Sequence, residues 1–374
     1  MKTTKKIICM ILAFVMIASL AACGSAKTTE APAAAPAEAA PAEAAPAEAA
    51  PAEEKWDFSD APSVNLTFAI YVTETDPMCK KMCRFLDTVK EYTEGTVDYT
   101  LYAGQTLCNG KEEVEAVRNG LCDITFFPIS YGSGLMPLGY IVDYPGIEYA
   151  SQKSLAYTIK EYFEELQPEE IADLHLVFAY GQTGGVYATN QPIRTFEDFQ
   201  GKQIRCSGSM IPVMEAYGAI PTTMVVGEAY EAIRTGIVNG YYGMATAVYG
   251  YKMQEVTQYV LPDPLFHGSF QLLMNNDVWE SLTPDQQDAI NTAAEEAFAE
   301  YICLGLDAET EEAMQGFVDA GLEIVEFDDE NMAKMVAASA PILEEYAASV
   351  EGGTEALALL RQLAEKNNEI YPAE

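Results

Sequence analysis

Between residues 64 and 127 the sequence switches repeatedly between two kinds of apolar pattern, and no other feature narrows the fold as much. Residues 64–71 read as an alternating strand, 77–92 as an amphipathic helix, 96–101 as a strand, 110–119 as a capped helix ending at Gly120, and 123–127 as a third apolar strand. Strand, helix, strand, helix, strand is the pattern of parallel α/β construction. A second series follows: strands at 174–180 and 202–205, a helix near 211–217, a strand at 221–226, a helix at 228–235, and a further strand from Gly240 onward. With about 320 residues from Trp56 to the C-terminus, the chain has enough material for two lobes. The last third is helical. Thr283-Pro284-Asp285 reads as a helix start, and the Ala/Glu-rich run to about Gly316 would reach about 45 Å at 1.5 Å per residue, enough to cross both lobes.

Residues 1–55 read differently. Lys2, Lys5 and Lys6 precede an apolar run at 7–20, too short to span a bilayer unaided, so residues 1–22 are expected to be a signal peptide. The run ends in Leu20-Ala21-Ala22-Cys23-Gly24, which resembles the bacterial lipobox. Cys23 is therefore expected to carry lipid and hold the chain on the outer face of the cell membrane, an extracytoplasmic location. Residues 23–55 form the anchor and an Ala/Pro/Glu linker with PAEAA repeats. Proline and like charge stiffen it, and it has nothing to bury.

The formal charge of −36 becomes −39 when the three leader lysines are removed. Such a surface provides no phosphate-neutralising face, which excludes nucleic acid as a partner. It does not exclude an anionic ligand held by one buried cation, because exposed charges are screened beyond about 8–10 Å. Beyond Cys9 and Cys23 there are six cysteines, at 79, 83, 108, 122, 206 and 303. Their spacing fits no zinc motif, and they read as small buried side chains or as disulfide partners.

Signatures of catalysis are sparse. His175 and His267 stand in no metal-binding spacing, and there is no nucleophile elbow, phosphate loop or dinucleotide turn, so no enzyme activity, cofactor or metal is expected. His175 lies inside an apolar strand and reads as a packed residue. One place has recognisable chemistry. In Gly201-Lys202-Gln203-Ile204-Arg205 a cation ends an apolar strand and precedes Cys206-Ser207-Gly208-Ser209, small residues opening a helix. Arginine's planar fork can take a carboxylate through two parallel hydrogen bonds, with backbone donors behind it. An arginine there can equally serve as a surface ion-pair partner.

The wider context, GKQIRCSGSMIPVMEAYGAIPTTMVVGEAYEAIRTGIVNGYYG at 201–243, resembles the central signature of the DctP-family receptors of tripartite ATP-independent (TRAP) transporters. Residues 101–107 with 120–123, 190–193 and 279–284 resemble the family's other motifs, so the likeness covers about residues 63 to 340. It implies an α/β, two-lobed, periplasmic-binding-protein-like fold with mixed sheets, hinge strands and a long helix spanning both lobes. Lobe I would comprise 56–182 plus 268–308, lobe II 183–267 plus 309–350, with a C-terminal helical segment at 351–374. It implies a receptor that closes over a small organic carboxylate and passes it to DctQ-like and DctM-like membrane subunits.

On that likeness Arg205 pairs with the carboxylate. Where acidic-sugar receptors of the family place further polar contacts, this chain has Tyr71, Gly184-Gly185 and Gly243. The glycines are expected to vacate space near Arg205, with tyrosines at 71, 131, 180, 187, 241 and 242 supplying flat walls, so the pocket would suit a bulkier or aromatic monocarboxylate. Those tyrosines can equally serve as packing between lobes. Glu74, Gln182, Thr183 and Ser209 follow strand ends, where ligands of open α/β sheets sit. With Arg205, Tyr71, Tyr187 and Tyr242 they form the candidate binding set. The other classes are a surface lipoprotein that feeds a signalling protein and a surface hydrolase.

Overall fold

In the computed structural model, which describes residues 56–132 and 134–373, the strand and helix alternation builds two mixed sheets. The leader, Cys23 and the linker lie outside the described residues. The first sheet takes β1 (Val64–Ile70), β2 (Val97–Ala103), β3 (Ile124–Pro128), β4 (Leu174–Gln182) and β10 (Gly268–Asn275), in the order β2-β1-β3-β10-β4. β1, β2 and β3 run parallel, and β10 is antiparallel to both its neighbours. Helix α1 (Pro77–Tyr92) buries Met78, Cys79, Met82, Phe85, Leu86 and Val89, the three-and-four spacing of a single apolar stripe. Its start is fixed twice. Pro77 occupies the first turn, and the Asp76 carboxylate accepts the Met78 N–H at 2.8 Å. Phe85 meets Phe178 edge-on, and Phe126, Tyr180 and Phe270 stack beside them. Helices α2 (Glu113–Arg118) and α3 (Gln152–Leu166) pack on β3 and β4. His175 stacks on Trp279 at 3.6 Å, the packed role its strand position predicts.

The second sheet holds β5 (Gly185–Thr189), β6 (Gln203–Cys206), β7 (Ile220–Thr223), β8 (Gly240–Met244), β9 (Tyr259–Asp263) and β11 (Glu323–Ile324), in the order β11-β9-β5-β8-β6-β7. Helices α4 (Ile211–Ala216), α5 (Val226–Arg234) and α6 (Ala245–Gly250) connect its strands. The chain passes between the sheets along β4 to β5 and β9 to β10, the hinge strands of a two-lobed α/β protein.

The long C-terminal helix is not continuous. After α7 (Asn276–Ser281), α8 (Pro284–Ala297) runs into a π turn at Phe298–Ile302, and Gly305 at φ +84° starts α9 (Leu306–Asp319). A left-handed residue cannot continue an α-helix, so the glycine resets the axis. The two halves still span both lobes, α8 against α1 and α9 against α6 and β11. Helix α10 (Asp329–Ser349) then packs on α4 in the second lobe, and α11 (Gly353–Ile370) on α3 in the first. The six cysteines after residue 55 are free thiols, four of them buried.

A buried carboxylate joins the lobes. Asp143, 2% exposed, accepts the Ser269 N–H at 3.1 Å and its hydroxyl from the first sheet, and the Ser209 hydroxyl at 3.0 Å from the second lobe. Burial pushes the carboxyl up to about 6, outweighing the hydrogen bonds from Ser269 and Ser209. The folded state therefore holds this proton more tightly than the unfolded chain. The stability it contributes is full below about pH 4 and is lost as pH rises through 6. Lowering the pH from 7 to 5 should recover about 1 kcal/mol at this residue. In calorimetric unfolding, Asp143→Asn should narrow the difference in Tm between pH 5 and pH 7; an unchanged difference would show that Asp143 does not titrate in this way.

Candidate functional site

Between the lobes lies a cavity enclosing about 700 Å³ of non-atom space, part of it open to solvent. Arg205 is its one arginine. Strand β6 places Arg205 directly beside Tyr241 of β8, and this cross-strand pairing sets the guanidinium 4.6 Å above the Tyr241 ring. Two further contacts hold it. Nε and Nη2 donate to the Met224 carbonyl at 2.9 and 2.6 Å, and Nη2 donates to the Tyr131 hydroxyl at 3.1 Å. None of the hydrogen bonds among the described residues uses Nη1. Arg205 is only 2% exposed, and it takes part in none of the ion pairs found among the described residues. Desolvating a cation is costly, and here the Met224 carbonyl, the Tyr131 hydroxyl and the Tyr241 ring stand against that cost in place of an acidic side chain.

Tyr131 comes from the first lobe, in the turn Ile129–Tyr131 that follows β3. Its oxygen accepts from Arg205 and from the Val226 N–H at 2.9 Å, which leaves the phenolic hydrogen to be given to a third group. Tyr71 meets Tyr131 edge-on at 5.4 Å, and Tyr251, Phe266 and Phe270 extend the aromatic wall.

Of the candidate residues, the cavity brings together Arg205, Tyr71, Gln182 and Tyr242. The other four lie elsewhere. Glu74 is exposed beyond the end of β1. Thr183 donates its N–H and hydroxyl to the Gln152 side chain at 2.8 and 3.0 Å, which secures the hinge strand. Tyr187 is fully buried, stacked on Tyr242 at 4.2 Å within the second sheet. Ser209 is bound to Asp143 at the inter-lobe contact.

The glycines do not open the cavity as expected. A Cβ on Gly185 would lie 2.3 Å from Phe266, one on Gly184 2.7 Å from Thr310, and one on Gly243 2.7 Å from the Tyr241 hydroxyl. In each case a neighbouring side chain has taken the room. Asp76, Ser130, Tyr251, Phe266 and Phe270 also line the cavity and escaped the sequence reading. Asp76 carried a signal, an acid just before the Pro that opens α1. The others are ordinary residues whose convergence is tertiary.

Among the described residues, no group of three or more His, Cys, Asp or Glu is placed to hold a metal, and no helix is long and apolar enough to cross a membrane. The family model for bacterial extracellular solute-binding proteins, family 7 (DctP), matches residues 68–349. The chain belongs to this family. The family is one of solute-binding receptors rather than a class of enzymes. Among DctP-family relatives, the C4-dicarboxylate-binding periplasmic protein DctP of Rhodobacter capsulatus is 27% identical over 316 residues, covering 80% of this chain and 91% of that protein. Many solved structures share this chain's fold, these two among them. A TRAP solute-binding protein from Rhodoferax ferrireducens T118, in complex with copurified benzoate, superposes with a TM-score of 0.76 at 18% identity, covering 82% of this chain and 99% of that one. A marine-metagenome TRAP solute-binding protein specific for aromatic acid ligands, from an unidentified microbe, gives a TM-score of 0.76 at 20% identity, with 82% and 99% covered.

Proposed function

We propose that this DctP-family chain is the extracytoplasmic receptor of a TRAP transporter, which binds a small organic carboxylate between its lobes and delivers it to DctQ-like and DctM-like membrane subunits. The observation that carries this reading is Arg205, buried, charged and without an acidic partner. A carboxylate beside it would accept from Nη1 with one oxygen and from the Tyr131 hydroxyl with the other. Tyr131 would then tie the ligand to both lobes, which is how binding favours the closed state. Tyr71, Gln182 and Tyr242 are the further proposed contacts, and the aromatic wall favours a flat, bulky acid. The receptor captures and releases its ligand without chemical change. Its lobes divide as 56–182 plus 268–308 and 183–267 plus 309–350, with 351–374 a C-terminal segment.

Lipid on Cys23 and the stiff linker at 23–55 would keep the lobes near the permease and raise their effective concentration there. Sampling a panel of carboxylates by thermal shift should reveal at least one that raises Tm, since a ligand at a hundred times its Kd adds about 2.7 kcal/mol. The same ligand should reduce the radius of gyration in small-angle scattering. A saturating ligand that leaves the radius unchanged would contradict closure, and a panel without a single hit would contradict the carboxylate reading.

A further inference from the structure

The cavity carries a second charged group, on the lobe opposite Arg205. Asp76 caps α1 through Oδ1, which accepts the Met78 N–H at 2.8 Å. Capping explains an oxygen at this position; it does not explain the charge, since Asn or Ser cap equally well. Nor does it explain the second oxygen. Asp76 lines the inter-lobe cavity, and Oδ2 faces the second lobe, where a Cβ on Gly250 of α6 would stand 3.8 Å from it. Among the described residues Asp76 is in no ion pair. Lys80 and Lys81 of α1 act on it without pairing with it, Lys80 the more strongly, and Lys81 is engaged with Glu309 at 2.8 Å. Around the carboxylate stand Tyr71 and Tyr251, and the Tyr251 phenol is held above its ordinary value first by burial and then by the Asp76 charge. Burial likewise pushes Asp76 itself up to about 6, so at neutral pH it is an anion short of donors.

One cavity therefore presents an unpaired cation on one lobe and an unpaired carboxylate on the other, separated by aromatic walls. We infer that Asp76 is a specificity-determining residue, and that the ligand is a carboxylate whose far end carries a hydrogen-bond donor, an ammonium or a hydroxyl. This inference rests on the carboxylate reading and narrows it. A dicarboxylate would set its second charge against Asp76, and a plain hydrocarbon tail would leave Oδ2 of this half-buried carboxylate without a donor.

Two matched series test this: 3-methylbenzoate, 3-(hydroxymethyl)benzoate, 3-(aminomethyl)benzoate and benzene-1,3-dicarboxylate; and pentanoate, 4-hydroxybutanoate, 4-aminobutanoate and succinate. Calorimetry on the wild-type protein should show a donor-bearing member binding at least tenfold tighter than its methyl-ended counterpart, and the dicarboxylate weakest. Asp76→Asn keeps the cap and the shape, so it should unfold at nearly the wild-type temperature. It should lose that preference at least fivefold and gain affinity for the dicarboxylate. The same ranking in both proteins would overturn the inference, as would a wild-type preference for the methyl-ended or dicarboxylate member. Binding that depends on Arg205 but not on Asp76 overturns this inference alone. Failure of every compound to bind overturns the carboxylate reading with it.

Discussion

Arg205→Met should abolish carboxylate binding while leaving the fold as stable as before. Truncating one partner of a buried, hydrogen-bonded charge pair costs 2–5 kcal/mol or more, roughly a thirtyfold to several-thousandfold loss of affinity. Stability behaves differently because Arg205 has no acidic partner among the described residues. Removing it gives up bonds to the Met224 carbonyl and the Tyr131 hydroxyl, but it also removes a desolvated charge. The net change should stay within about 1 kcal/mol. Methionine rather than alanine keeps most of the volume, so no large cavity is created. Arg205→Lys should remain impaired, since an ammonium cannot reproduce the planar fork held over Tyr241. Calorimetric titration and thermal unfolding of the same preparation read both effects. A dissociation constant within threefold of wild type would remove Arg205 from the role proposed for it.

Gly185→Ala should cost about 3 kcal/mol or more, which lowers Tm by about 5 °C or more. The new methyl would stand 2.3 to 2.5 Å from Cβ, Cγ and Cδ1 of Phe266. Cβ is fixed to the backbone, so a rotamer change cannot relieve the overlap. Gly185 also begins β5, paired with Met244 on one side and Asp263 on the other, so it cannot shift without disturbing two strands. Phe266 lies close to the hinge segment entering β10. In the Gly185→Ala/Phe266→Ala double variant, the two losses should be clearly less than additive, because the second removes what the first collides with. Full stability of the single variant would show that the hinge backbone yields more easily than this packing implies.

Most of the elements were legible in the sequence because they follow from local physics. The helix expected at 77–92 spans Pro77–Tyr92, since Asp76, Pro77 and the apolar stripe fix both its start and its buried face. The mixed direction of the sheets was not legible from the alternation itself, which suggests parallel strands. It depends on β10 returning from far along the chain to lie between β3 and β4, a pairing that no local pattern encodes. The break at Gly305 was missed because one glycine in an Ala/Glu-rich run reads as a tolerated substitution, whereas its positive φ resets the helix axis.

The site divides in the same way. Arg205 was legible from its strand end and small-residue neighbours, and the structure buries it in the inter-lobe cavity. Ser209 and Thr183 follow strand ends as ligand contacts do, yet their hydroxyls are used by Asp143 and Gln152. A strand-end position marks where a side chain starts and leaves open which partner it finds. The glycines misled for a related reason, since the space a glycine gives up belongs to whichever neighbour packs there. For Gly243 that neighbour is Tyr241, the residue under Arg205.

The central claim is that the unpaired charge of Arg205 is completed by a ligand carboxylate. A crystal structure of the protein with a bound carboxylate tests it most directly. A carboxylate oxygen should stand at hydrogen-bond distance, about 2.7–3.1 Å, from Arg205 Nη1, with the Tyr131 hydroxyl donating to the same group from the other lobe. A ligand seated in this cavity with its carboxylate away from Arg205, and the guanidinium still without an anion, would contradict it.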